Sequence, residues 1–340
     1  MKVVALFCML EGKKRILVVA IGGGGDIASA SMIANSLERM GYTTVLASIA
    51  WERYIYDPIP GPIRLSEVEN PSKRGDYYIL VNEDSYATRG GRLVIPQAVK
   101  ASRALGREVY IIDMYSGVEG YVKGLSSIIS DERVDLVIGV DVGGDVLASG
   151  SEEDLWSPLA DWIGLAALFR LNGIVAVHSP GSDGELSTNY LIKRIDEVAA
   201  KGGLLGVSIM CMHDAVLLEK ILKYVDSEAS RIPLLAYQGR RGQIPLRKGS
   251  RVVEISLFNT MTFYMDSKIV IDLVEPAKKL LYTKTLDEAR RILNELGIYT
   301  ELDLEEDLAR LNINPTEVTS DLLISVRSTG LKRLRSKKSI

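Results

Sequence analysis

Residues 15–49 read RILVVAIGGGGDIASASMIANSLERMGYTTVLASI. Arg15–Ile21 is an almost unbroken apolar run of strand length, the pattern of a strand buried on both faces. Gly22-Gly23-Gly24-Gly25-Asp26 follows, then a helical pattern over Ile27–Met40. Gly41 stands just beyond it, where a glycine ends a helix. Thr43–Ile49 is a second strand. Strand, glycine loop, helix and strand in this order are the start of a βαβ unit, which predicts an α/β fold with a mostly parallel central sheet.

The same alternation continues outward. Further strands are expected at Tyr77–Val81, Glu108–Ile112, Leu136–Val140, Ile174–Val177 and Leu204–Met210. Helices are expected at Pro96–Leu105, Gly117–Ser130, Pro158–Leu171, Thr188–Lys201 and Asp214–Ser227. Asp57-Pro58-Ile59-Pro60-Gly61-Pro62 cannot be regular structure and reads as a rigid connection. Beyond Ser230 the rhythm changes. Pro233 and Pro245 bracket a basic loop, and Arg251–Ser256, Thr260–Met265 and Lys268–Leu273 read as shorter strands. Helices at Leu286–Leu296 and Leu302–Leu311 follow. The chain divides into a core at 11–230, an extension completing the fold at 231–326, and a frayed basic tail at 327–340.

Composition sets limits. Among 340 residues, 41 basic and 44 acidic side chains leave a net charge of −3, so nothing calls for nucleic acid or an anionic membrane as partner. No run approaches the roughly 20 apolar residues of a spanning helix. Cys8 and Cys211 form no disulfide framework or CxxC pair, which fits a cytoplasmic protein. Val3–Leu10 is too short for a signal peptide and lacks a small-residue cleavage site; it reads as an N-terminal extension, or as an early start with Met9 as the alternative. Glutamine occurs only at 97, 238 and 243, and balanced charge with few amides and thiols is the composition of a thermophile protein.

In parallel sheets ligands bind beyond the carboxyl ends of the strands. The expected ends carry Gly22–Asp26, Asn82-Glu83-Asp84, Asp113, Asp141-Val142-Gly143-Gly144-Asp145, His178 through Glu185, and Cys211-Met212-His213-Asp214. Glycine N–H groups at Gly22, Gly23, Gly24, Gly25, Gly143 and Gly144 are candidates to cradle a phosphate beside a helix N-terminus. Asp26, Asp141 and Asp145 are candidates to hold Mg²⁺ or another divalent cation, although Asp141 or Asp145 could equally cap the following helix. His178 and His213, the only histidines, and the acids Asp183 and Glu185 are candidates to move a proton. Gly23-x-Gly25-x-x-Ala28 also matches a dinucleotide fingerprint, with Glu52 slightly late for the ribose acid. Arg240, Arg241, Arg247, Lys248 and Arg251 read as a solvated loop, with a reach over the site to a phosphate as the other reading. Trp51, Trp156 and Trp162 read as packing residues. The Leu/Ala-rich stretch Leu159–Phe169 reads either as core or as a face for homo-oligomer contacts.

Together, Gly22–Asp26, Trp51-Glu52-Arg53 with Asp57-Pro58 and Pro60-Gly61-Pro62, Asp141–Asp145 with Ser157-Pro158-Leu159, and Pro180–Leu186 resemble a largely archaeal family, domain of unknown function 1152. The likeness spans roughly residues 15–300. It implies a Rossmann-like three-layer fold and names no reaction.

Three functions follow from the residues. The leading one is an enzyme acting on a nucleotide or phosphorylated small metabolite with a divalent cation. An NAD(P)-binding oxidoreductase rests on the fingerprint register, and the crowd of acids counts against it. A non-catalytic small-ligand sensor or scaffold is the third.

Overall fold

The computed structural model describes residues 8–313 and 315–337. Most of the reading of Val3–Leu10 therefore falls outside the described residues.

The first apolar run forms strand β1 (Arg15–Ala20), buried from Ile16 onward. Strand β2 is Thr43–Ser48, and between them runs helix α1 (Ile27–Arg39). Next come short strands β3 (Val68–Glu69) and β4 (Lys73–Arg74), then β5 (Tyr78–Val81), β6 (Tyr86–Arg89) and β7 (Arg92–Val94). Helix α2 (Gln97–Leu105), strand β8 (Val109–Ile112), helix α3 (Gly117–Glu132) and strand β9 (Leu136–Val142) follow. Then come α4 (Pro158–Arg170), β10 (Ile174–His178), α5 (Thr188–Ala200), β11 (Leu204–Ile209), α6 (Met212–Ile221) and α7 (Glu228–Tyr237). Strands β12 (Gly242–Leu246), β13 (Arg251–Ile255) and β14 (Met261–Asp266) precede helices α8 (Ser267–Leu273), α9 (Glu275–Lys279), α10 (Leu286–Glu295), α11 (Glu301–Arg310) and α12 (Ser320–Lys337).

Nine strands form one sheet in the order β11-β14-β10-β9-β1-β2-β8-β5-β4. The run β10-β9-β1-β2-β8 is parallel throughout, with Leu17 beside Val45 and Val137, and Val175 beside Gly139. Strands β14 and β5 run against their neighbours. Two apolar clusters, one on each face, cover the sheet. One joins β1, β9 and β10 side chains to α3, α4, α8 and α10, and the other joins them to α1, α2 and α6. The α/β expectation with a mostly parallel sheet therefore holds.

Several expectations are corrected. Lys268–Leu273 is helix α8, because Asp266 ends the strand and its side chain accepts the Lys268 N–H at 2.9 Å. Helix α6 stops at Ile221, and Ser227 starts a new helix by accepting from Ser230 N at 3.1 Å. Pro233 lies inside α7 and Pro245 inside β12, a strand paired on one side only. The expected frayed tail continues helix α12 to Lys337, with Arg327 buried and donating to the carbonyls of Glu153 (2.5 Å) and Leu155 (2.6 Å). Leu159–Leu168 are buried within the chain, so this helix is apolar on all sides because it is core and offers no free oligomer face. Among the described residues, no helix is long and apolar enough to cross a membrane.

Candidate functional site

Strand numbering runs outward in opposite directions from β1: to β2 and β8 on one side, to β9 and β10 on the other. A crevice opens at such a reversal, beyond the carboxyl ends of the strands. Here it is a cleft enclosing about 200 Å³, an order of magnitude more than the roughly 10–15 Å³ one water needs. The loops after β1, β2, β9 and β10 form its floor; α7, the β12–β13 turn, α11 and the start of α12 close over it.

Carboxylates dominate the floor. Asp26, Asp141 and Asp161 form one triad; Asp145, Asp183 and Glu185 form another; within each, the nearest oxygens lie within 4.8 Å of one another. All six side chains are buried. Glycine makes this crowding possible. A Cβ on Gly22 would meet Asp26 Oδ2 at 2.4 Å and Asp161 Oδ1 at 3.0 Å, and one on Gly143 would meet the Asp183 carboxyl carbon at 2.5 Å.

Backbone donors hold some of these groups. Asp26 accepts from Val142 N at 3.2 Å; Asp141 accepts from Gly144 N (3.3 Å) and Val146 N (3.0 Å), turning the chain after β9. The N-terminus of α4 is wrapped in carboxylates. Glu185 accepts from the backbone N–H groups of Trp156 (2.6 Å) and Ser157 (3.0 Å), and Glu301 from those of Leu159 (3.0 Å) and Ala160 (2.8 Å). The positive end of the helix favours both. Two oxygens stand apart: Asp145 Oδ1 and Asp161 Oδ1 are buried without any hydrogen-bond partner among the described residues.

Three carboxylates in contact and out of water cannot all stay ionised without compensating charge. Burial, then the Asp141 charge, raises Asp26 well above the usual carboxylate range. Asp145 and Asp161 are likewise raised by burial, then by neighbouring carboxylates. Burial lifts Asp141 to about 7, and burial plus the Glu185 charge lift Asp183 to about 6. Glu185 is the exception. Burial works against its charge, but Arg251, at 2.7 Å, together with its hydrogen bonds, holds its carboxyl below the usual range.

The sequence candidates separate cleanly. Gly22, Gly23, Gly24, Gly25, Asp26, Asp141, Asp145, Asp183 and Glu185 all line the cleft, but the Gly24 N–H donates to Trp51 O at 2.9 Å and is not free for a phosphate. Gly143 and Gly144 do not line it: their N–H groups go to His178 O (3.2 Å) and Asp141, which leaves neither for a phosphate. His178 is wholly buried between β10 and β14, with Nδ1 2.8 Å from Thr262 Oγ1, and burial lowers it to about 4. His213 is exposed on α6, beside Asn35 and Arg39 of α1, away from the cleft. Asn82-Glu83-Asp84 lie at the opposite sheet edge, because β5 runs antiparallel to β8. Asp113 caps α3's entry turn by accepting from Tyr115 N and Ser116 N.

Sequence reading missed Asp161, Glu301 and Glu305. Asp161 had one signal: an acid in the first turn of a helix otherwise apolar on every side. Glu301 and Glu305, one turn apart on α11, lie more than a hundred residues from the sites they serve, and nothing local marks them. Glu305 accepts from Trp51 Nε1 (3.1 Å) and Gly61 N (2.8 Å), and burial raises it to about 8. Glu52, the candidate ribose ligand, accepts instead from Gln97 N and Gln97 Nε2, both at 2.9 Å. The basic stretch is corrected as well: Arg247 and Arg251 line the cleft. Two guanidiniums pack on the Trp156 ring, Arg251 at 5.0 Å and Arg327 at 4.7 Å from its centre.

Sheet and cleft together define an α/β protein with a buried carboxylate site at the carboxyl edge of its parallel strands. The chain belongs to the family described as "Protein of unknown function (DUF1152)", whose model matches residues 17–309. No curated protein and no solved structure matches it significantly.

Proposed function

We propose that the cleft is the active site of an enzyme that uses a divalent cation to act on a nucleotide or phosphorylated small metabolite. One observation carries this reading: two triads of buried carboxylates, each with an oxygen, Asp145 Oδ1 and Asp161 Oδ1, that has no hydrogen-bond partner among the described residues. Leaving such oxygens unmatched in a dry site costs several kcal/mol, and a cation compensates it. Oxygen-only donor sets suit Mg²⁺, Mn²⁺ or Ca²⁺ over softer metals. A bound divalent cation would supply charge to a phosphoryl oxygen and lower the pKa of a coordinated water.

The chain's own residues supply the rest. Asp26, Asp141 and Asp161 would hold one cation and Asp145, Asp183 and Glu185 a second. Arg251, paired with Glu185 at 2.7 Å, favours its ionised form. The parallel run read in the order β8-β2-β1-β9-β10 also supports a Rossmann-like assignment, with the cleft at its reversal point. Nothing comparable favours a nicotinamide cofactor, since Asp26 occupies the glycine loop and Glu52 is engaged by Gln97.

Calorimetric titration of Mg²⁺ and Mn²⁺ into the protein and into Asp145→Asn and Asp161→Asn tests the reading. Saturable binding that each substitution weakens at least tenfold supports it, followed by a screen of nucleotides and sugar phosphates for cation-dependent turnover. Absence of cation binding by the unaltered protein would end it.

A further inference from the structure

Arg53 extends from the segment after β2 and Arg247 from the turn between β12 and β13, and both side chains line the cleft. A single carboxylate oxygen sits between them. Glu228 Oε2, on the first residue of α7, lies 3.1 Å from Arg53 Nη1 and 3.4 Å from Arg247 Nε. Among the described residues, the Arg247 side chain is paired only through Nε, and its two terminal nitrogens have no hydrogen-bond partner there. The Glu228 side chain is 38% exposed, against 26% for Arg53 and 28% for Arg247, so the carboxylate is the member free to swing into water.

The backbone that presents Arg247 is strained. Arg247 (φ 52°) and Lys248 (φ 57°) are both left-handed, ahead of Gly249 (φ 93°). Each non-glycine residue there costs of order 1–3 kcal/mol and persists only when its surroundings hold it. Lys248 Nζ supplies the hold, donating to Val318 O at 3.0 Å. Burial, then the Arg251 and Arg53 charges, pushes the Arg247 guanidinium below the usual arginine range. Arg53, Arg247 and Arg251 thus lie close enough for their charges to disfavour one another, and Arg247 also feels the carboxylates of Glu228, Glu185 and Asp26. Two guanidinium forks sharing one loosely held oxygen match the geometry of a phosphate, which offers three oxygens and up to two charges.

We propose that Arg53 and Arg247 are the receptor for the ligand's phosphate, and that Glu228 is a resident counter-ion which that phosphate displaces. This inference rests on the reading of the cleft as a site for a phosphorylated ligand.

Inorganic phosphate titrated into the Mg²⁺-loaded protein is the probe. Arg247→Gln and Arg53→Gln are each expected to weaken phosphate binding at least tenfold. Glu228→Gln is expected to tighten it several-fold by removing the competing charge, a gain that a merely structural Glu228 would not give. Unchanged affinity in Arg247→Gln, or weaker binding in Glu228→Gln, overturns the proposal. Mg²⁺ titrated alone separates the two readings. If the unaltered protein binds Mg²⁺ but no phosphate, the receptor is wrong and the cation site stands. If it binds no Mg²⁺, the cation site falls, and the same three substitutions judge the receptor by phosphate titration in EDTA.

Discussion

Asp161 has a carboxylate oxygen buried without a hydrogen-bond partner among the described residues, beside Asp26 and Asp141, in a helix whose other first-turn residues are apolar. A group in that position lowers stability when no cation is bound, and is retained for what it binds. Asp161→Asn is therefore expected to stabilise the protein by about 1–3 kcal/mol in EDTA and to reduce its stabilisation by Mn²⁺. Denaturant unfolding with and without Mn²⁺ measures both; destabilisation in EDTA would make Asp161 a packing residue. His178 gives a pH signature of opposite origin. Its folded pKa of about 4 lies below the unfolded value near 6.5, so between these limits the unfolded chain binds the extra proton. Its contribution is intact above pH 6.5 and is lost as pH falls toward 4, a total of about 3 kcal/mol. Raised carboxylates such as Asp183 slope the other way in part of this range, so the observable is a difference. Wild-type stability minus that of His178→Asn should fall between pH 6.5 and 4. A flat difference would show that the imidazole titrates normally.

At the scale of elements, the Asp57–Pro62 connection shows how a segment without regular structure shapes the cleft. Arg89, buried on β6, pairs with Asp57 and donates to Gly61 O at 3.0 Å, while Tyr115 OH donates to Pro62 O at 2.8 Å. Glu305 accepts Gly61 N and Trp51 Nε1 from the other side, tying the connection to the cleft wall that begins at Trp51. Arg89→Met would leave Asp57 buried and unpaired, at an expected cost of about 3–5 kcal/mol. Adding Asp57→Asn should recover most of that loss. Failure of the double variant to recover would place the energy in the Gly61 bond instead. Most elements were legible because their signals are local: Gly41 ends α1, and the apolar runs are β1, β9 and β10. The exceptions depend on distant partners. The KIVID pattern at 268–272 suits either strand or helix, and capping by Asp266 together with packing against α4 decides for helix. The direction of β5, antiparallel to β8, is set by pairing and not by its own sequence, and that direction removes Glu83 and Asp84 from the cleft edge. The acids following β1, β9 and β10 were found because the sheet rule locates them; Glu301 and Glu305 arrive by tertiary packing alone.

Across the whole molecule, the net charge of −3 conceals a concentration of acid in one place: eleven carboxylates and three arginines line the cleft. Segments from Gly22 to Leu323 contribute to that lining, so global unfolding must take the site apart. A cation that binds only the assembled site then stabilises the entire fold through mass action, by about 2.7 kcal/mol at a hundredfold excess over Kd. The expected result is a single unfolding transition that moves upward by several degrees from EDTA to saturating Mn²⁺, with its denaturant slope unchanged. Two transitions, of which Mn²⁺ moves only one, would mean that the floor formed by residues before Ser230 binds the cation independently of α11 and α12. The buried Arg327 anchor argues for the single transition. It joins α12 to the Glu153 and Leu155 carbonyls and covers Trp156, so the last helix is fastened to the segment that runs from Asp145 to Ser157 and leads into α4 with Asp161. Arg327→Met should uncouple them, lowering stability by about 2–4 kcal/mol and splitting the transition in Mn²⁺ if α12 is the element that makes closure cooperative.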